Sequence, residues 1–182
     1  MNSRTKKILK LTSILISSLV IGIASASTYN MFMNATVGVT ATEMSFVAST
    51  DFSACGGVIT DNNQKVTFST MNGKAGVEAI YKPVNITNGA TAAHNIELVL
   101  DSWTGATQTH LYKITVSMYK GTVQQGVSLV LYPDGEGTSV TNSTTVNIGT
   151  SETWQVEWKV YWKGTAVVGD TVQVNLLLVV KS

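Results

Sequence analysis

Apolar and polar side chains alternate with a period of two along most of the chain, which is typical of β-strands with one buried face. The clearest run is residues 154–162, where Trp154, Trp158 and Trp162 alternate with polar residues. A second long run covers residues 172–180. Shorter runs predict strands at 66–70, 80–86, 96–100, 114–118, 127–132 and 145–148. No segment after residue 26 has a helical period, so the pattern predicts an all-β fold.

Turn-forming residues separate these runs. Glycine supplies the positive φ angles of tight turns, and asparagine and aspartate tolerate them. Many short strands at even spacing predict an antiparallel β-sandwich, jelly-roll-like in form. Pro83 lies inside the predicted strand 80–86 and cannot donate a ladder hydrogen bond. This strand is therefore expected to lie at a sheet edge or to contain a bulge at Pro83.

Residues 27–41 form a long strand pattern with one apolar face. From residue 28 onward its odd-numbered positions are apolar, its even-numbered positions are polar or small, and only Phe32 departs from the alternation. The apolar face is made by Tyr29, Met31, Met33, Ala35, Val37 and Val39. This strand has two interpretations. It is either the first strand of its own sandwich or a donor strand that completes the sheet of a neighbouring subunit.

Residues 1–26 resemble a secretory signal peptide, whose apolar part is helical. Four basic residues precede an apolar stretch over residues 11–23, and the segment ends in the small-x-small motif Ala24-Ser25-Ala26. We expect cleavage between Ala26 and Ser27, with an uncleaved anchor as the alternative. The expected organisation is a signal peptide at 1–26, an N-terminal donor strand at 27–41 and a β-sandwich domain at 42–182.

Composition and charge exclude some classes of function for this chain. Charged residues make up 13% of the chain, and beyond residue 26 there are 8 lysines, no arginine and 11 acidic residues, a net charge of −3. Nucleic-acid binding needs clustered basic residues, so no nucleic-acid partner is expected. The single cysteine, Cys55, cannot form an internal disulfide and is interpreted as a small buried residue.

The chain lacks the residue constellations of common active sites. His94 and His110 are its only histidines, and neither stands at metal-ligand spacing from other ligating residues. No nucleophile-elbow motif occurs. We therefore expect no enzymatic activity, no metal, no cofactor and no small-molecule substrate. The three tryptophans on one strand face could stack on sugar rings, but a core stripe is the simpler interpretation because the opposite face is polar.

Three sites match the N-glycosylation acceptor pattern, and they begin at Asn34, Asn85 and Asn142. Modified and unmodified asparagine both remain open at each site, since chance matches are expected in a threonine-rich chain. Asn34 and Asn85 have the parity opposite to their apolar neighbours, so a glycan at either would point away from the core.

The arrangement resembles the TasA/camelysin family of biofilm matrix fibre proteins, and most closely the archaeal bundling pilins related to them. The similarity rests on a signal peptide followed at once by an aromatic-bearing strand at 28–36, on a strand at 42–47, on a strand–Asn–Gly–small turn within 81–92, and on amphipathic strands at 96–100 and 172–180. The chain lacks the long charged insertions of the bacterial proteins, which favours the pilin side. The resemblance implies a jelly-roll subunit that polymerises by donor-strand complementation.

Pattern and resemblance together predict a secreted structural subunit of an extracellular, cell-surface filament such as a pilus or biofilm fibre. Its partner is itself, in a head-to-tail homopolymer, with neighbouring filaments as further partners in bundles. The alternative is a monomeric secreted β-sandwich binding module for cell-surface glycans.

Overall fold

The computed structural model describes residues 31–39, 43–105, 110–132 and 139–181. These segments form twelve strands joined by turns and loops, and they contain no helix. Accordingly, these ranges hold no helix long and apolar enough to span a membrane. The predicted signal peptide, with Ala26 and Ser27, lies outside the described residues, as does the start of the 27–41 strand.

The strands form two six-stranded sheets packed face to face. Sheet A contains, in spatial order, β10 (Val146–Ile148), β6 (His94–Gly105), β12 (Thr171–Lys181), β1 (Met31–Val39), β4 (Lys65–Gly73) and β3 (Gly57–Thr60). Sheet B contains, in spatial order, β2 (Met44–Ala48), β5 (Glu78–Asn88), β11 (Thr153–Trp162), β7 (Leu111–Lys120), β8 (Val123–Leu131) and β9 (Val140–Thr141). The predicted all-β sandwich is confirmed.

The prediction of purely antiparallel sheets is wrong for one pair of strands. β1 and β12 run parallel, whereas the other paired strands of the described chain run antiparallel. Parallel neighbours require a long connection, because the chain must return to the same end of the sheet. Nearly the whole domain separates β1 from β12, so this requirement is met.

Pro83 lies in an interior strand. β5 has β2 on one side and β11 on the other, so the edge alternative is wrong. The register between β5 and β11 shifts between the pairs Val156–Val84 and Trp158–Tyr81, where two residues of β5, Lys82 and Pro83, lie opposite the single residue Glu157 of β11. The bulge predicted at Pro83 is therefore confirmed, and it removes the need for a ladder donor at this position.

The space between the sheets is filled by the inward faces of the long strands. Trp154, Trp158 and Trp162 are at most 1% exposed, which confirms the core stripe predicted from their spacing. Trp158, from sheet B, meets Phe68, from sheet A, edge to face with ring centroids 6.5 Å apart. Such aromatic contacts add to the stabilisation from buried apolar area.

Candidate strand-exchange groove

β1 occupies a slot one strand wide in sheet A. It pairs with β12 on one side, from Phe32 opposite Thr171 to Val39 opposite Leu178. On its other side it pairs with β4, from Met31 opposite Gly73 to Gly38 opposite Lys65. Without β1, sheet A would divide into a three-stranded and a two-stranded part. We call the slot between β12 and β4 the groove.

The described inward-facing side chains of β1 are apolar and fully covered. Met33, Ala35 and Val37 are at most 1% exposed. The groove walls that flank them are equally buried: Val172, Val174 and Leu176 on β12, with Val66, Phe68 and Met71 on β4. The alternation predicted from the sequence is thus present for the described side chains of β1, and it directs the odd-numbered face into the core.

The described outward-facing residues of β1 are polar or small, and they are open to solvent. Asn34 is exposed, and Thr36 and Gly38 are partly exposed. A cleft of about 440 Å³ lies over this face. Its lining is mostly hydroxyl, amide and charged side chains: Thr36, Gly38, Lys65, Thr67, Asp101, Gln173, Asn175, Leu176 and Leu177.

β1 and β2 meet the same end of the sandwich. Val39 lies opposite Leu178 at the C-terminal end of β12, and Met44 lies opposite Asn88 at the C-terminal end of β5. We call this the linker end, because residues 40–43 connect the two strands there. The opposite end, where Met31 lies beside Gly73, is the tip end. Residues 40–43 therefore carry the chain from sheet A to sheet B at the linker end.

The linker end is held by buried polar contacts. The Asn88 side chain is fully buried, and its Nδ2 donates to the carbonyl oxygens of Ala92, Ile148 and Gly149 at 2.9–3.3 Å. Its Oδ1 accepts a hydrogen bond from the backbone N–H of Ala90 at 2.9 Å. One amide thus ties the connection between β5 and β6 to the end of β10 and the turn that follows it.

Three of the predicted donor residues remain, and the structure places two of them. Tyr29 lies outside the described residues. Met31 and Val39 belong to β1 through their backbone pairing at the tip and linker ends. The structure brings the described part of the apolar face into one row, and it places that row within the sheet of its own chain.

The three glycosylation candidates lie at different places. Asn34 is exposed on the outer face of sheet A, and Asn85 is half-buried on β5. Asn142 is exposed, and its Oδ1 accepts a hydrogen bond from the backbone N–H of Leu100 at 3.3 Å. The next residue, Ser143, is buried, and its hydroxyl accepts one from Leu98 at 2.7 Å. Asn142 therefore has a structural role at the edge of β6, whereas Asn34 points freely outward.

Other reactive side chains are dispersed. His110 Nδ1 lies 2.8 Å from Asp170 Oδ1, and the second oxygen of Asp170 accepts a hydrogen bond from Val167 at 2.7 Å. This pair joins the start of β7 to the loop before β12. Cys55 is buried, and burial together with the nearby Asp51 raises the pKa of its thiol to about 11. Among the described residues, no group of three or more ligating side chains could hold a metal ion.

Sequence reasoning did not find the walls of the groove. β4 and β12 were each predicted as strands, but nothing in the sequence paired either of them with β1. The one available signal was length, since the run at residues 172–180 is about as long as the apolar run of β1.

Searches against protein-family models and against curated proteins find no match to this chain. The groove must therefore be interpreted from its own geometry.

Proposed function

We propose that the protein is a secreted structural subunit of an extracellular filament, joined head to tail by donation of β1 to the groove of a neighbour. The observation that carries this proposal is the groove itself. It is one strand wide, and it has a hydrogen-bonding strand on each side. Its floor, formed by the inward-facing side chains of these two strands, such as Val174 and Phe68, is buried and apolar. A neighbour's β1 could pair with the same two strands, β12 and β4, and cover the same floor.

The chemistry of β1 suits this role. Peptides that add to a sheet gain affinity from main-chain hydrogen bonds and specificity from alternate side chains. β1 offers a ladder on both edges, and its buried Met33 and Val37 supply apolar contacts on the inward side. A head-to-tail contact does not close on itself, so repetition yields a fibre.

Further parts of the proposal come from the sequence. The resemblance to TasA/camelysin fibre proteins and archaeal bundling pilins supports a jelly-roll form, extracellular assembly and bundling. The signal pattern supports export with cleavage before Ser27. The exposed position of Asn34 is compatible with a glycan on the surface of the assembled fibre.

Electron microscopy of the producing cells tests the proposal. Cells with the wild-type chain should carry filaments, and Met33→Asp should abolish them, because it places a carboxylate in the apolar groove. The matched control is Asn34→Asp, one residue away on the exposed face, which should still assemble. Purified wild-type protein that stays monomeric at every concentration, from cells without filaments, would contradict the proposal.

A monomeric glycan-binding module is the second candidate, favoured by two observations. β1 completes the sheet of its own chain, and the cleft over β1 is lined by the hydroxyl and amide groups that saccharides use as partners. In that case the isolated monomer should bind cell-surface glycans, and Asn175→Ala in the cleft should weaken the binding. The three tryptophans have no part in it, because they are buried.

A further inference from the structure

The direction of β1 in the groove bears on how a filament can form. β1 runs from the tip end to the linker end, parallel to β12, and the chain then turns back into β2. Its nine residues span about 27 Å at the usual strand rise. From Val39 to Glu43, the next described residue, four residue steps reach at most about 14 Å. The connection is therefore about half as long as the groove.

This length limits where a donated β1 can go. In a filament stacked along the strand direction, the linker end of one subunit faces the tip end of the next. A β1 inserted in the direction seen here would place its Val39 at the far end of the neighbour's groove, about 27 Å beyond the junction. Residues 40–43 cannot cover that distance. Two chains could exchange β1 in this direction with their linker ends together, but such an exchange closes on itself as a dimer.

The groove accepts a strand in either direction. β12 and β4 run antiparallel to each other, because β1 is parallel to the first and antiparallel to the second. A reversed β1 would be antiparallel to β12 and parallel to β4, which again gives one ladder of each kind. If Ala35 stays opposite Val174, the reversal places Met33 opposite Leu176, so the odd-numbered face still points inward.

We infer that β1 reverses its direction between the free subunit and the filament, an inference that rests on the proposed function. In the free subunit β1 fills its own groove parallel to β12, which covers the apolar floor and blocks assembly. In the filament β1 enters the next subunit's groove antiparallel to β12. The occupant of the groove is then a second copy of this chain, and the structure described here is its self-closed form.

Engineered disulfides distinguish the two directions, since bridged Cα atoms must lie within about 7 Å. Gly38 faces Leu177 in the self-closed form, and a β-carbon at Gly38 would make only an ordinary contact of 3.7 Å with Leu177. Gly38→Cys with Leu177→Cys therefore reports the parallel direction. Gly38→Cys with Thr171→Cys, or with Gln173→Cys, reports the reversed direction in two adjacent registers. In the self-closed form these last pairs are about 13–20 Å apart.

The exported chain, collected as monomer and as filament, is oxidised and run on non-reducing gels. We expect the Gly38/Leu177 variant to close within one chain and to assemble only after reduction. We expect the Gly38/Thr171 or Gly38/Gln173 variant to give ladders of linked subunits from filaments. The single variant Gly38→Cys controls for Cys55, which is buried and should give no multimers.

The remaining outcomes distinguish a failure of the reversal from a failure of strand donation itself. Subunits linked through Gly38 and Leu177, without ladders from the other two variants, would mean that β1 is donated in the parallel direction, and the reversal would be wrong. Filaments from the oxidised Gly38/Leu177 variant, closed within each chain, would mean that β1 never leaves its own sheet. That result would overturn strand donation itself.

Discussion

Gly73 lies directly against the indole ring of Trp162. A β-carbon at Gly73 would stand 2.2 Å from the ring atoms Cδ1 and Nε1 of Trp162, closer than any real contact. Gly73 ends β4 at the tip end, and Trp162 ends β11 in the other sheet. The absence of a side chain at Gly73 therefore allows the two sheets to close at this end.

This contact predicts that Gly73→Ala is destabilising. The added methyl group must displace a fully buried indole, and overpacking of this kind costs about 1–3 kcal/mol. The matched control is Gly164→Ala, since a β-carbon at Gly164 would meet nothing within 4 Å. Urea unfolding followed by tryptophan fluorescence measures both free energies of unfolding. Equal values for the two variants would contradict the packing described here.

Trp158 should be a major contributor to core stability. It is fully buried and meets Phe68 across the sandwich, directly beneath the groove. Trp158→Ala is expected to lower the free energy of unfolding by about 3–5 kcal/mol, as large core truncations do. Lys159→Ala, on the outward face of the same strand, should change it by less than about 1 kcal/mol. A similar loss of unfolding free energy in both variants would contradict the inward orientation of Trp158 and the outward orientation of Lys159.

Asn88 and Asn72 provide a matched pair, because each precedes a glycine but only Asn88 is buried. Asn88→Asp removes a side-chain donor that serves three carbonyl oxygens and buries a carboxylate in its place. A lost buried hydrogen-bonding partner costs about 1–3 kcal/mol, so we expect a destabilisation of roughly 3 kcal/mol or more. Asn72 is exposed, so Asn72→Asp should leave the stability nearly unchanged. Thermal unfolding of the two variants gives the comparison.

Stability should decline in acid through two surface ion pairs. The hydrogen bond from Lys181 lowers the pKa of Glu97, and the hydrogen bond from Lys120 lowers that of Glu152, both from an ordinary value of 4.5. A lowered carboxyl pKa in the folded state contributes stability above the unfolded value, and this is lost as pH falls through the folded value. Unfolding free energies should therefore drop below about pH 4.5.

The matching variants test which carboxylates cause this decline. Glu97→Gln and Glu152→Gln should each make the free energy of unfolding less dependent on pH in that range. Glu78→Gln, an exposed carboxylate on β5, is the control. A wild-type stability that stays constant from neutral pH down to pH values well below 4.5 would contradict the prediction.

We expect a glycan on at least one of Asn34, Asn85 and Asn142, and we expect the mature chain to begin at Ser27. Asn34 is the most open of the three positions in its surroundings, since the Oδ1 of Asn142 already accepts a hydrogen bond and Asn85 is half-buried. Intact mass and N-terminal sequencing of exported protein test both expectations. A mass equal to that of unmodified residues 27–182 would exclude the glycan.

Several features of the fold follow from the sequence alone, because they depend on local geometry. A period of two directs alternate side chains to opposite faces of any strand, so the buried row from Trp154 to Trp162 could be predicted without knowledge of its neighbours. The missing N–H of Pro83 required either an edge or a bulge for the same local reason. β3 (Gly57–Thr60) was missed because its two apolar residues, Val58 and Ile59, are adjacent and so do not alternate with polar residues.

Only the tertiary structure decides which strands become neighbours. Every amphipathic strand here offers the same backbone donors and acceptors, so the sequence of β1 could not name β12 and β4 as its partners, nor show that it runs parallel to β12. These choices depend on the connections and on the packing of both inner faces at once. The sequence by itself determined that β1 has one face to bury, and the assembled sandwich determined the groove that buries it.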